Sequence, residues 1–338
     1  MPNLGMRSHR ALGCSLHPVS TRNILRLPTA PVSTIKPSIA RLLLSQEHRQ
    51  HTSSYSRPSP KSLPRLVPEH LLESQRRGLY PAGTNNMDRL KYTLHPDIPS
   101  DVLSLWFNHI SSPEHLILPP KEAIFKWFKA DSDFDQTCAS QFNSYLTTIS
   151  STRPTASELL SAISPSSPID WLGLVLLLDQ VSRNVFRGAE AKIVYEIFDP
   201  LAQEVVKRAV AAGVLEDPVI KYRLAYRVWF CMPFMHSEST ELHEACVRMF
   251  EGALADVKSL VAGEEKVKGD VAECREYLKE NLEEAEGYLE TFLGFEKRHQ
   301  VIIERFGRYP HRNQVLGRES TKEEEEYLRD GGETFGTG

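Results

Sequence analysis

Residues 131–145 read DSDFDQTCASQFNSY, and their apolar side chains recur at Phe134, Cys138, Phe142 and Tyr145. These spacings of four, four and three residues follow the α-helical period, so the four side chains share one face. An aspartate or serine just before such a pattern can cap the free N–H groups of the first turn. The stretch therefore predicts a helix that is capped by Asp131 or Ser132 and buries one face.

Signals of the same kind recur along the chain. Residues that favour helix starts precede further apolar patterns at Ser100, Pro119-Pro120, Thr155, Asp170, Asp199-Pro200, Asp217-Pro218 and Ser320. Gly307 ends the longest pattern, which begins near residue 271. Alternating Val, Ile and Thr runs, which would indicate strands, are scarce. The sequence thus predicts an all-α fold of antiparallel helical hairpins that are joined by short loops in a repeat-like array.

The first 77 residues differ in charge from the rest. They hold 12 Lys and Arg against three acids, a formal charge of +9, whereas the other 261 residues hold 28 bases and 41 acids, or −13. An Arg-rich, Ser-rich and acid-poor N-terminus is typical of a mitochondrial transit peptide. We predict a transit peptide over residues 1–60, a linker over 61–89 and one helical domain over 90–335. The alternative is a disordered tail on a cytoplasmic protein.

Composition excludes several classes of protein. The formal net charge of −4 gives no global electrostatic reason to bind nucleic acid. The longest apolar run, residues 171–178, is far shorter than the ~20 residues that span a bilayer. The five cysteines include no CxxC pair, which favours reduced core thiols over a disulfide framework or a zinc site.

The first of three polar segments, residues 178–188, reads LDQVSRNVFRG. It contains three pairs of polar residues spaced four apart, Asp179 with Arg183, Gln180 with Asn184, and Arg183 with Arg187. One interpretation is a single ion pair on a helix face, followed by a glycine stop. The other is a pair of guanidinium groups that binds a carboxylate or phosphate.

The second segment, residues 227–238, reads RVWFCMPFMHSE and begins at Arg227. An aromatic helix meets Pro233, which leaves His236 and Glu238 at the break. A histidine and a carboxylate can form an acid–base couple, whereas a lone histidine at a helix junction is often a structural hydrogen-bonder. Because the spacing does not match a zinc site, we expect no metal and no other cofactor.

The third segment, residues 299–318, reads HQVIIERFGRYPHRNQVLGR. Its candidate polar side chains are His299, Arg305, Arg308, His311, Arg312, Asn313 and Arg318. Four guanidinium groups within 14 residues repel one another unless acids or an anionic ligand separate them. This segment therefore gives the strongest local indication of an anion site.

Together these segments resemble the hallmark blocks of a known family. The motifs are LLLDQxxRNxFRG at 176–188, MPFxHSE at 232–238 and RFGRxPHRNxxLGRxS at 305–320. They resemble the bacterial and fungal domain-of-unknown-function family nine hundred and twenty-four, over about residues 97–335. The resemblance implies an all-helical, tetratricopeptide-like superhelical array, and it implies no activity.

Three functional hypotheses follow. The first is a pocket for an anionic small molecule, with His236, Glu238, His311 or Asp179 as catalytic candidates if there is a reaction. The ligand-binding candidates are Asp179, Gln180, Arg183, Asn184, Arg187, Arg227, His236, Glu238, His299, Arg305, Arg308, His311, Arg312, Asn313 and Arg318. The second is a concave groove that binds a peptide or its carboxylate terminus. The third is a buried polar network that only fixes helix packing.

Overall fold

The structure is a computed structural model, and it describes residues 84–335. These residues lie within one compact unit and contain no strand, which confirms the all-α prediction. The tetratricopeptide-like arrangement fits this architecture and stays a prediction. The predicted transit peptide and most of the predicted linker lie outside the described residues. The first described helix begins at Asn86, four residues before the predicted start of the helical domain at residue 90.

Eleven helices of eight or more residues form the described structure. In chain order they are α1 (Asn86–Thr93), α2 (Ile98–Trp106), α3 (Lys121–Phe128), α4 (Ser132–Thr152), α5 (Ala156–Ile163), α6 (Pro168–Leu176), α7 (Asp199–Ala211), α8 (Thr240–Ala262), α9 (Asp270–Glu280), α10 (Leu282–Phe306) and α11 (Lys322–Arg329). Shorter helices connect them, at Glu114–Ile117, Ser182–Val185, Ala191–Ile193, Pro218–Lys221, Leu224–Arg227, Met232–Met235 and Asn313–Leu316.

The structure confirms the predicted helix starts at Asp131 and Thr155 and the predicted helix end at Gly307. Asp131 accepts from the N–H groups of Asp133 and Phe134 at the start of α4. Thr155 and Glu158 form a reciprocal capping box on α5. Gly307 ends α10 with φ of 68°, a left-handed conformation that glycine adopts without steric cost.

Other predicted starts were wrong by one to three residues. Helix α2 begins at Ile98 rather than after Ser100, and α6 is capped by Ser167, with Asp170 as the third residue of a capping box. The last helix is capped by Thr321 rather than Ser320. In each case another residue nearby can also stand at a helix start, and sequence alone does not rank the candidates.

Two long patterns are interrupted. The pattern over 271–306 divides at Asn281, whose side-chain amide donates to the Tyr277 carbonyl and so competes with the helical hydrogen bonds. The helix predicted to start at Asp217-Pro218 breaks after Lys221 and resumes at Leu224.

The two longest helices, α8 and α10, pack as an antiparallel pair. His243 near the start of α8 contacts Glu296 late in α10, whereas Lys258 late in α8 contacts Glu286 early in α10. The helices therefore run in opposite directions, as the hairpin prediction requires.

Aromatic side chains fill the middle of the core. Trp229 lies edge-on to both Trp106 and Trp127 and stacks against Phe128. Helix α6 packs so closely on α2 that a Cβ atom at Gly173 would collide with the backbone of Pro99. This contact fixes α6, whose continuation carries the first polar segment.

Candidate functional site

Two buried aspartates are associated with π-helical turns. The first turn, Leu177–Val181, continues α6 and has Asp179 as its middle residue. The second turn, Val194–Phe198, is followed directly by Asp199 at the start of α7. A π-turn contains an additional residue, so it shifts the faces that later side chains occupy, and such turns are frequent at functional sites.

The three polar segments meet at a set of five residues that we call the acid–arginine centre: Asp179, Arg183, Asp199, His236 and Arg312. Arg183 Nη2 lies 2.8 Å from Asp199 Oδ1 and 3.7 Å from Asp179 Oδ1. Arg312 Nη1 lies 3.4 Å from Asp199 Oδ2, and His236 Nδ1 lies 2.8 Å from Asp179 Oδ1. Two arginines and two aspartates thus balance in charge when His236 is neutral.

His236 is the most exposed member of the centre. Its side chain is 16% exposed, against 1% for Asp179 and 10% for Arg183. Because a carboxylate accepts the hydrogen bond, Nδ1 carries the proton and Nε2 keeps its lone pair. Burial and the Arg183 charge lower the pKa of His236 below its ordinary value, although Asp179 opposes them. The ring is therefore neutral at neutral pH and can accept a proton at Nε2.

Asp179 is held as a carboxylate. Burial alone would raise its pKa, but His236 and Arg183 together bring the pKa below its ordinary value. Gln180 Nε2 also donates to Asp179 Oδ2 over 2.6 Å. The arrangement resembles the orienting carboxylate of an acid–base couple, which fixes the tautomer and direction of a histidine.

The two arginines of the centre have unused hydrogen-bond donors. Arg312 lies between the rings of Tyr195 and Tyr309, with its guanidinium carbon 4.4 Å from each ring centroid. Its Nε atom and the Nη1 atom of Arg183 are buried and have no hydrogen-bond acceptor among the described residues. Buried donors of this kind are costly unless an ion, water or ligand satisfies them.

The other arginines of the third segment are separated by acids. We call these contacts the outer ion pairs: Arg305 with Glu323, Arg308 with Glu324, and Arg318 with Glu238. Arg308 binds Glu324 through Nε at 2.6 Å and Nη2 at 2.8 Å, and these bonds help to lower the pKa of Glu324 to about 2. The expected repulsion is thus resolved within the chain at these three arginines.

Glu238 does not form the predicted couple with His236. It instead accepts from Arg318 and from the Tyr309 N–H, and these bonds keep its pKa below the ordinary value despite burial. Its role in the structure is to attach the third segment to the second.

Arg187 and Arg227 are paired outside the acid–arginine centre. Arg187 binds Asp135 on α4 at 2.6 Å and also contacts the Asn184 side chain. Arg227 binds Asp256 on α8 at 2.7 Å. Arg183 and Arg187 therefore do not form the predicted guanidinium pair, because Arg183 binds Asp199 and Arg187 binds Asp135.

Two more candidates of the third segment, His299 and Asn313, have structural hydrogen bonds, whereas both ring nitrogens of His311 are buried without a hydrogen-bond partner among the described residues. His299 is buried, its Nδ1 lies 2.8 Å from the Phe295 carbonyl, and its ring stacks on Phe335. Asn313 bridges Arg318 and Glu324. Burial and the neighbouring Arg312 lower the pKa of His311 to about 3, which makes it a poor proton acceptor near neutral pH.

Sequence reasoning missed Asp199, Tyr195, Tyr309, His243 and Glu296. The sequence indicates only a helix start at Asp199, because Asp-Pro is a common start signal. Its contacts lie 16 residues before it, at Arg183, and 113 residues after it, at Arg312. No local pattern reports such contacts, although one acid between two Arg-rich segments is a weak hint.

The described residues contain no cluster of three or more His, Cys, Asp or Glu that could hold a metal ion. They also contain no helix that is both long enough and apolar enough to cross a membrane. Cys138, Cys231, Cys246 and Cys274 are buried and unpaired by disulfides.

The fold and the converging segments define an all-helical protein with a buried acid–arginine centre. Comparison with known families gives a match between residues 102–332 and a bacterial protein family of unknown function, DUF924. The chain belongs to this family, as its three motifs predict. No curated protein matches the chain. A solved structure of a protein of unknown function from Agrobacterium tumefaciens is similar at 25% identity and a TM-score of 0.46, over 69% of this chain and 97% of that one.

Proposed function

We propose that the acid–arginine centre binds a small molecule with a carboxylate or phosphate group and exchanges a proton with it through His236. The observation that carries this proposal is the pairing of His236 Nδ1 with buried Asp179, which leaves Nε2 without a hydrogen bond to any described residue. Nε2 would accept a proton from the bound molecule or from water, and Asp179 would stabilise the resulting imidazolium.

The unused donors of the two arginines support the anionic part of the proposal. Arg183 Nη1 and Arg312 Nε are buried without acceptors, and both arginines already share Asp199. A carboxylate or phosphate oxygen would satisfy these donors. The outer ion pairs support the structural-network hypothesis for Arg305, Arg308 and Arg318, because each of those arginines has an acid of its own.

Charge balance adds a testable condition. The centre is neutral when His236 is neutral, so a bound anion adds an uncompensated negative charge. Protonation of His236 would cancel that charge, and binding should therefore raise the pKa of His236. By linkage, affinity for a carboxylate, which stays ionised over this range, should increase as the pH falls from 8 toward 6.

The test is a thermal-shift screen of the full chain with inorganic phosphate and simple mono- and dicarboxylates. A compound at 100 times its Kd should stabilise the protein by ~2.7 kcal/mol. Arg312→Lys, which keeps the charge and loses the planar set of donors, should weaken binding at least ~tenfold. Arg305→Lys is the matched control, and it should bind like the unmodified chain.

His236→Gln tests the proton acceptor separately. It should abolish the pH dependence of carboxylate binding while the protein stays folded, because the amide cannot take up a proton and carboxylates do not titrate between pH 6 and 8. A screen in which neither phosphate nor any carboxylate shifts the unfolding temperature would contradict the proposal. If Arg312→Lys binds as tightly as the unmodified chain, the anion site does not include Arg312.

A further inference from the structure

The short stretch that carries His236 is fixed by hydrogen bonds on both sides. Tyr309 Oη donates to the carbonyl of Met235 over 2.7 Å. His243 Nε2 lies 2.9 Å from the carbonyl of Ser237. These two carbonyls flank His236 in the chain, and both partners come from the interior side of the structure, where Tyr309 and His243 are fully buried.

The contacts of His243 fix the direction of its ring. A carbonyl oxygen only accepts, so Nε2 must carry the proton that bonds to Ser237. His243 Nδ1 lies 2.7 Å from Glu296 Oε1, and both side chains are 0% exposed. Nδ1 and Glu296 Oε1 therefore share one proton across this contact. Whichever of the two groups holds that proton, the contact keeps Nε2–H directed at the Ser237 carbonyl. Burial raises the pKa of Glu296 above its ordinary value, although the His243 contact opposes this shift.

We propose that Tyr309 and His243 are positioning residues that hold the peptide groups on either side of His236 and so direct its imidazole toward Asp179, with Glu296 holding the His243 ring so that Nε2–H faces Ser237. The inference rests on the proposed function in treating His236 as the proton acceptor. The positioning itself is measurable without any ligand.

The local backbone explains why positioning is needed. His236 follows the four-residue helix Met232–Met235 and precedes the start of α8 at Thr240, so no helical hydrogen-bond ladder continues through it. A third contact, from the Tyr309 N–H to Glu238 at 2.9 Å, secures the end of this stretch. Loss of one carbonyl contact would allow the ring to move away from Asp179 and toward solvent.

The test compares Tyr309→Phe with Tyr288→Phe in the full chain. Tyr288 is also buried, but its hydroxyl has no hydrogen-bond partner among the described residues, so its variant is a matched control. Nitrogen-15 histidine NMR reports the tautomer and pKa of His236, which His236→Gln assigns. Asp179, Arg183, Asp199 and His299 face this ring and stay unchanged in both variants.

We expect Tyr309→Phe to raise the pKa of His236 by at least ~0.5 unit toward its ordinary value, because the ring becomes more hydrated. The Nδ1–H signal should also lose intensity relative to Nε2–H. Tyr288→Phe should change neither. A folded Tyr309→Phe variant with the titration and tautomer of the unmodified chain would overturn the proposal.

A second pair of variants decides the matter if Tyr309→Phe does not fold. Glu296→Gln can still hydrogen-bond to His243 Nδ1, whereas Glu296→Met keeps the volume and removes the hydrogen bond. We expect Glu296→Gln to preserve the His236 titration and Glu296→Met to shift it. Equal shifts in the two variants would refute the positioning role of the Glu296 hydrogen bond, and no shift in either would refute the role of His243. All these results are independent of whether phosphate or a carboxylate binds.

Discussion

The acid–arginine centre and the outer ion pairs both combine arginines with carboxylates, but they pair them differently. In the outer ion pairs each arginine has its own acid, and at Arg308 and Arg318 the contact is two-pronged. In the centre two arginines share Asp199, and the second acid, Asp179, binds a histidine. When each arginine has its own acid, the acid accepts the main guanidinium donors. When two arginines share an acid, some of their donors have no acceptor within the chain and are available to a ligand.

This difference separates two hypotheses that sequence alone left open. Arginine density within residues 305–318 favoured an anion site, yet most of that density is neutralised by the chain itself. Only Arg312 of this segment joins the acid–arginine centre. The number of arginines in a segment is therefore a weaker guide to a ligand than the number of donors left over after folding.

The largest expected effect is the loss of the shared acid. Asp199→Ala leaves Arg183 and Arg312 buried near a single carboxylate, so the free energy of unfolding should fall by ~3–5 kcal/mol. Urea unfolding followed by circular dichroism measures it. A loss below ~1 kcal/mol would mean that water already satisfies both arginines, and the contrast with the outer ion pairs would disappear.

The next effect concerns pH. His311, beside Arg312, has a pKa of about 3 in the folded protein against an ordinary value of 6.5. The unfolded chain therefore binds a proton below pH 6.5 that the folded chain does not, and stability falls as the pH decreases from 6.5. At pH 5 this contribution is about 2 kcal/mol, from about 1.4 kcal/mol per unit.

The measurement is the difference in unfolding free energy between pH 7 and pH 5 for the unmodified chain and for His311→Gln. Subtraction removes the effects of the other titrating groups. The variant should lose less stability on acidification. Parallel pH profiles would show that the pKa of His311 is the same in the folded and unfolded states, which would contradict the lowered value.

A smaller effect is expected where the outer ion pairs meet the second segment. Arg318 binds both oxygens of Glu238 and also contacts Asn313 and the Tyr309 carbonyl. Arg318→Ala should cost about 1–2 kcal/mol, since charged hydrogen bonds are lost at a partly exposed site. Thermal unfolding measures this loss, and we expect the affinity for the anion to stay unchanged. A weaker affinity would show that Arg318 belongs to the same site as the acid–arginine centre.

The smallest effect is expected at Arg305, whose side chain is 49% exposed beside Glu323 at 61%. Arg305→Ala should change stability by less than ~1 kcal/mol, and less still in high salt. Measurement at low and high ionic strength checks both statements. A larger loss would assign Arg305 a packing role through its contact with the Phe306 ring.

The helices could be predicted because their signals are local. Asp131, Thr155 and Gly307 act within one turn of their own positions, and the cap that each provides depends on few other residues. Errors arose where neighbouring residues offered equivalent starts, as at Ser167 and Asp170. The fold class follows from the sum of such signals even when individual boundaries shift.

The site could be predicted only in part. His236, Asp179, Arg183 and Arg312 were identified because polar side chains beside apolar runs stand out in the sequence. Their partners could not be assigned, because ion pairs between distant segments leave no spacing pattern. The π-turns could not be predicted either, because the apolar run before Asp179 fits an ordinary α-helix equally well.

Those π-turns have a consequence for how the chain can change by deletion. Removal of one residue from Leu177–Val181 or Val194–Phe198 would restore regular α-helical bonding in that turn. All side chains beyond the deletion would then rotate by about 100° and move by about 1.5 Å along the axis. Loss of a single codon would thus give a more regular helix in which the aspartate no longer contacts its arginine. The burial of Asp179 and Asp199 therefore depends on the number of residues in each turn as well as on their identity.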